Sequence, residues 1–66
     1  MKDKYGVNLE VGDIVVVSSS ISDIFERGII EEILEHKAMG LVIAETAVVN
    51  CGFRSIFTES EIIYID

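Results

Sequence analysis

Sixty-six residues leave room for one domain (residues 1–66) with one small core, and a chain of that size buries only about 60% of the surface it exposes when unfolded. A single cysteine, Cys51, excludes an internal disulfide, and with a single histidine, His36, it falls short of the four ligands of a structural zinc site. A formal net charge of −7 argues against a phosphate-neutralising nucleic-acid surface and against docking on anionic lipid.

Residues 1–10 read as a polar lead-in with a turn near Gly6-Val7-Asn8. They lack the apolar segment of a signal peptide, so a cytoplasmic protein is expected. Val7, Leu9 and Val11 alternate, which predicts an extended piece lying on the core. The turn dipeptide Gly12-Asp13 delivers the chain into Ile14-Val15-Val16-Val17, a strand by β-propensity. All four residues are apolar, so both strand faces are expected to be covered, one by the core and one by the core or an interface. Ser18-Ser19-Ser20 ends the strand. The loop that follows carries Ile24 and Phe25, one of which is expected to fold back onto the core.

Residues 27–36 admit two readings. Ile29, Ile30, Ile33 and Leu34 stand at helical spacing, and Asp23 with Glu26 resembles a capping box, which together favour a helix over residues 23–37. Gly28 opposes it, at a cost of about 1 kcal/mol in a helix interior. The strand alternative needs a bulge near Glu31-Glu32, where strict alternation fails. Downstream, strands are predicted near 40–46 and 52–57, with Asn50-Cys51-Gly52 as a turn. Thr58 and Glu61 stand at capping-box spacing ahead of a last strand at 62–65.

Taken in order, Val11-Gly12-Asp13-Ile14-Val15-Val16-Val17, Arg27-Gly28-Ile29-Ile30-Glu31-Glu32-Ile33 and Ile56-Phe57-Thr58-Glu59-Ser60-Glu61-Ile62 resemble an SH3-like small β-barrel of the KOW-related type. The resemblance implies an all-β fold of five strands, near 13–18, 27–36, 40–46, 52–57 and 62–65, with a short 3₁₀ turn before the last. It favours the strand reading of 27–36 over an α+β fold. The core expected on that basis is Val15, Val17, Ile30, Ile33, Val42, Phe57 and Ile62. With no Trp and few aromatics, the chain lacks the signatures of proline-rich peptide and methyl-lysine recognition. Its acidic or neutral loops do not suit KOW-type RNA binding.

No catalytic, cofactor or metal motif stands out, so the protein is expected not to be an enzyme and to carry no cofactor. Cys51 reads as a small side chain at a turn and His36 as a polar residue at a strand end. Asp23, Glu26, Glu31, Glu32 and Glu35 form an acidic cluster in sequence, either a solvated face or a face that docks on a protein partner with a basic surface. A small acidic binding module of this kind resembles phage-encoded accessory proteins, and is expected to act as an inhibitor docking on a basic surface of a host protein. A structural subunit acting through its own homo-oligomer is the alternative. Mean hydropathy of +0.47 points to association. If Val15 and Val17 face inward, Ile14 and Val16 face out, and the same alternation sends Ile56, Ile63 and Ile65 outward while Phe57, Ile62 and Tyr64 point in. Those five outer residues are the expected oligomer interface.

Overall fold

The structure, a computed structural model, describes residues 1–18 and 25–66. It contains β1 (Ile14–Ser18), β2 (Phe25–Ala38), β3 (Leu41–Asn50), β4 (Arg54–Thr58), a 3₁₀ turn (Glu59–Glu61) and β5 (Ile62–Tyr64). The strands form one antiparallel sheet in the order β4-β3-β2-β1-β5. All five strands contribute to one buried cluster of Leu9, Val15, Val17, Ile30, Ala47, Val49, Phe57 and Ile62, so the sheet must curl around it. Among the described residues no ladder joins β4 to β5, so the five-stranded all-β sheet is curled rather than closed into the expected barrel.

Residues 25–38 are a strand, and the register explains why their spacing looks helical. Ile30 pairs with Val49 and Glu32 with Val48, which leaves Glu31 as an extra residue in β2. The bulge shifts the phase of alternation by one. Ile30 and Ile33, three apart, therefore meet Val49 and Ala47 on the same, inner face. Asp23, the start of the helical alternative, lies outside the described residues.

Gly28 is required by close approach rather than by a special dihedral. A Cβ there would stand 2.7 Å from Val49 Cγ1 and 2.8 Å from the Asn50 carbonyl oxygen. A methyl can displace a side chain, but the backbone oxygen belongs to the β3 ladder. Gly28→Ala is expected to cost about 1–3 kcal/mol, read as a lower urea midpoint. An unchanged midpoint would mean that β2 and β3 separate there without loss.

The lead-in is more structured than its polarity suggests. Lys2 bridges to Asn8, and the Lys4 N–H donates to the Ile62 carbonyl at 2.8 Å. Asp3 is only 5% exposed. Its Oδ1 accepts from the N–H groups of Tyr5 and Val7, each at 2.8 Å, and its Oδ2 from that of Tyr64 at 2.9 Å. This segment covers the outer edge of β5, which would otherwise present unpaired backbone. Burial pushes the Asp3 carboxyl up, but the N–H groups of Tyr64, Val7, Tyr5 and Gly6 outweigh it and hold the group below its usual range. Of the alternating apolar trio only Leu9 is buried; Val7 and Val11 are exposed.

Past the core, β2 and β3 continue as a two-stranded arm with no further strand alongside among the described residues. β1 pairs with β2 only at Phe25–Ile29, and β4 pairs with β3 only at Thr46–Asn50. The arm, residues 35–45, ends in the two-residue turn Met39-Gly40, where φ is 52° and 78°. Two positive φ values are what a primed hairpin turn requires. Val42, expected in the core, stands on this arm and is 47% exposed, because among the described residues no third strand pairs there. Ile33 packs partly against the core, and Phe25 is exposed rather than folded back. Ile24 lies outside the described residues.

Candidate protein-docking surface

Residues directly opposite on antiparallel strands share a face of the sheet. Val15 and Val17 are buried, so Ile14 and Val16 belong to the outer face. Opposite them stand Ile29 and Arg27 on β2, with Phe25 opposite Ser18, and Ile63 opposite Val16 on β5. Ile65 follows Ile63 on the same side by alternation. Four of the five expected interface residues, Ile14, Val16, Ile63 and Ile65, thus come together, joined by Phe25 and Ile29. Ile56 does not join them: it lies on β4, opposite Val48, at the far side of the sheet. Tyr64, expected inward, is 38% exposed at the end of β5.

The acidic residues are divided by the same register. Glu32 stands opposite Val48 on the outer face. Glu31, at the bulge, reaches across β3 to Arg54 Nε at 2.7 Å and accepts from Asn50 Nδ2 at 3.5 Å. These two carboxylates sit together between the Ile29 patch and Ile56. Glu26 stands opposite buried Val17, on the inner side beside Cys51. Glu35 stands opposite Glu45 at the base of the arm, on the side that continues the core face. Glu45 meets the Met1 amino group at 3.3 Å. Asp23 lies outside the described residues.

Cys51 is half-buried, and its thiol donates to the Phe53 carbonyl at 3.6 Å. Burial, with Glu26 alongside, pushes the thiol pKa up, the opposite of what a thiolate nucleophile needs. His36 Nε2 lies 2.9 Å from Thr46 Oγ1, an exposed cross-strand contact on the arm. Among the described residues no three His, Cys, Asp or Glu side chains converge as a metal cage would require.

A second surface escaped the sequence reading. From Ala38 to Ala44 the arm carries no charged side chain, and Met39, Leu41, Val42 and Ile43 are all exposed. The uncharged run is visible in the sequence, but most of it reads there as the strand near 40–46 that carries Val42 into the core. Where β4 ends and β3 runs on, an open depression of about 390 Å³ forms between Ile43–Thr46 and Thr58–Ser60. The 3₁₀ turn makes its rim: Glu61 Oε1 accepts from the Thr58 N–H at 3.0 Å, leaving Glu59 exposed at the turn's start.

Among the described residues no helix is long and apolar enough to cross a membrane. No protein-family model, curated protein or solved structure matches the chain.

Proposed function

We propose that the protein is a small non-catalytic binding module of the SH3-like type, which docks through its outer sheet face on a protein partner with a basic surface. The β4-β3-β2-β1-β5 order and the 3₁₀ turn before the last strand support the family reading. The observation that carries the functional reading is the outer face itself. Its apolar group of Ile14, Val16, Phe25, Ile29, Ile63 and Ile65 borders the carboxylates Glu31 and Glu32. An apolar centre beside a charged rim is how protein interfaces are commonly built, and net charge −7 selects a basic partner.

The test is capture of a partner from host lysate at low ionic strength. Capture should weaken steeply as salt rises, since exposed charges are screened beyond about 10 Å at 0.1 M. Replacing Glu31 and Glu32 by Gln together should leave unfolding within about 1 kcal/mol of the parent while weakening capture, whereas Glu35→Gln, on the other side of the sheet, should leave capture unchanged. Capture unchanged in the Glu31/Glu32 double variant would end the acidic part of the reading. The alternative, an assembly subunit, is favoured by the meeting of Ile14, Val16, Ile63 and Ile65 on one face. Association of that kind would be apolar and nearly indifferent to salt.

A further inference from the structure

We infer that the β2–β3 arm is a self-association device: two copies lay their arms antiparallel about a two-fold axis, and the Met39 tip of each occupies the depression of the other. This goes beyond the docking reading and does not depend on it.

Three observations converge on a second copy as the occupant. The first is Met39. Primed hairpin turns favour Asn or Asp before Gly, because these residues tolerate positive φ. Met39 holds φ 52° and is fully exposed, so neither turn chemistry nor packing within the chain accounts for a methionine there. A flexible apolar side chain suits an irregular pocket on another molecule.

The second is placement. The free edge of β3 begins at the turn and ends at Thr46, where β4 takes over. An antiparallel neighbour on that edge brings its own turn level with Thr46 and Thr58. The depression lies at that place, lined by Ile43, Ala44, Glu45, Thr46, Thr58 and Glu59 among others, with Glu45 paired to the Met1 amino group. Tip and receptacle are thus at opposite ends of one edge, the relation that a two-fold makes self-complementary.

The third is charge. Two copies of a −7 chain repel over most of their surfaces, and the uncharged stretch Ala38–Ala44 is where that repulsion is least. The one basic residue on the arm, Lys37, pairs with Val42 close to the tip. Seating the tip in the depression brings Lys37 toward Glu59 of the other copy. The bulge at Ile43, where His36 pairs with Ala44 and Lys37 with Val42, interrupts the edge. Contact therefore runs through Met39, Leu41 and Ile43 side chains rather than a long ladder, which favours a closed pair over a growing sheet.

Sedimentation equilibrium of the full chain, from micromolar to millimolar concentration, tests this. The expected result is a species of twice the 7.3 kDa chain mass. Met39→Asn should weaken the dimer about tenfold or more while keeping or raising the urea midpoint, since Asn suits the turn. Lys37→Glu should also weaken it, and Lys37→Glu combined with Glu59→Lys should restore it. A mass of 7.3 kDa at millimolar wild-type protein would overturn the proposal. So would a dimer that survives both arm substitutions but is lost in Ile14→Asp, which would assign the contact to the β1–β5 face.

Discussion

Replacing Asp3 by alanine is expected to leave little folded protein at neutral pH. The ionised carboxylate accepts hydrogen bonds from three backbone N–H groups, at Tyr5, Val7 and Tyr64, in a buried setting. Each hydrogen bond to a charged group is worth about 1.5–3 kcal/mol, and a donor left buried without a partner adds its desolvation cost. A domain of this size has a total stability on the order of 3–10 kcal/mol, so losing this site removes a large share. Asp3→Asn keeps the shape but exchanges one acceptor oxygen for a donor, and is expected to be destabilised to a lesser degree.

The pH dependence gives the sharper reading. The folded carboxyl titrates below its unfolded value, so the unfolded chain takes up the proton first as acid is added. Its contribution is complete above the unfolded value of about 4 and is lost as pH falls through the folded one. The stability gap between wild type and Asp3→Asn, from urea unfolding at a series of pH values, should therefore be constant near neutrality and shrink in acid below about pH 4. A gap that does not change with pH would show that Asp3 contributes by shape alone.

Ile30→Ala is expected to unfold most of the protein, whereas Val42→Ala should be close to silent. Ile30 is 1% exposed on the central strand β2 and touches a core built from every strand. Truncating such a residue costs about 2–5 kcal/mol, because the lost transfer energy is joined by a cavity the core cannot fully close. Val42, on the arm, has water on much of its surface, and its truncation should stay within about 0.5 kcal/mol. Thermal or urea unfolding followed by circular dichroism ranks the two. The reverse ranking would put the arm in the core and Ile30 outside it.

Alternation around Val15, Val17, Phe57 and Ile62 was legible in the sequence because each sits in a short strand with no break in phase. The helix-like spacing of Ile29, Ile30, Ile33 and Leu34 was ambiguous for a definite reason. One bulge residue, Glu31, converts a period of two into an apparent period near three and a half. Ala47 and Val49 are buried and Val42 is not, a difference the sequence hides because an apolar run tells nothing of where neighbouring strands end. Asp3 was invisible as a core residue, since its partners lie both next to it and at the far end of the chain. The acidic residues lie close together in sequence but are parted by register, with Glu31 and Glu32 outside, and Glu26 and Glu35 on the other side.

The clasp between the lead-in and β5 also sets an order of assembly. The Asp3–Tyr64 hydrogen bond spans 61 positions, and Ile14 N–H reaches the carbonyl of Asp66. The β2–β3 arm, by contrast, closes over two residues, Met39 and Gly40. Hairpins of that kind form in about 1–10 μs, whereas closing a long loop must surmount an entropy cost that grows with its length. Sequence separation therefore favours an early arm and a late Asp3–Tyr64 contact, and that long-range bond, unlike the local bonds to Tyr5 and Val7, is expected to be absent from the folding transition state. Interactions made that late slow unfolding without speeding folding. The clasp acts as a kinetic latch: it sets how long a folded molecule stays folded more than how fast a new one forms.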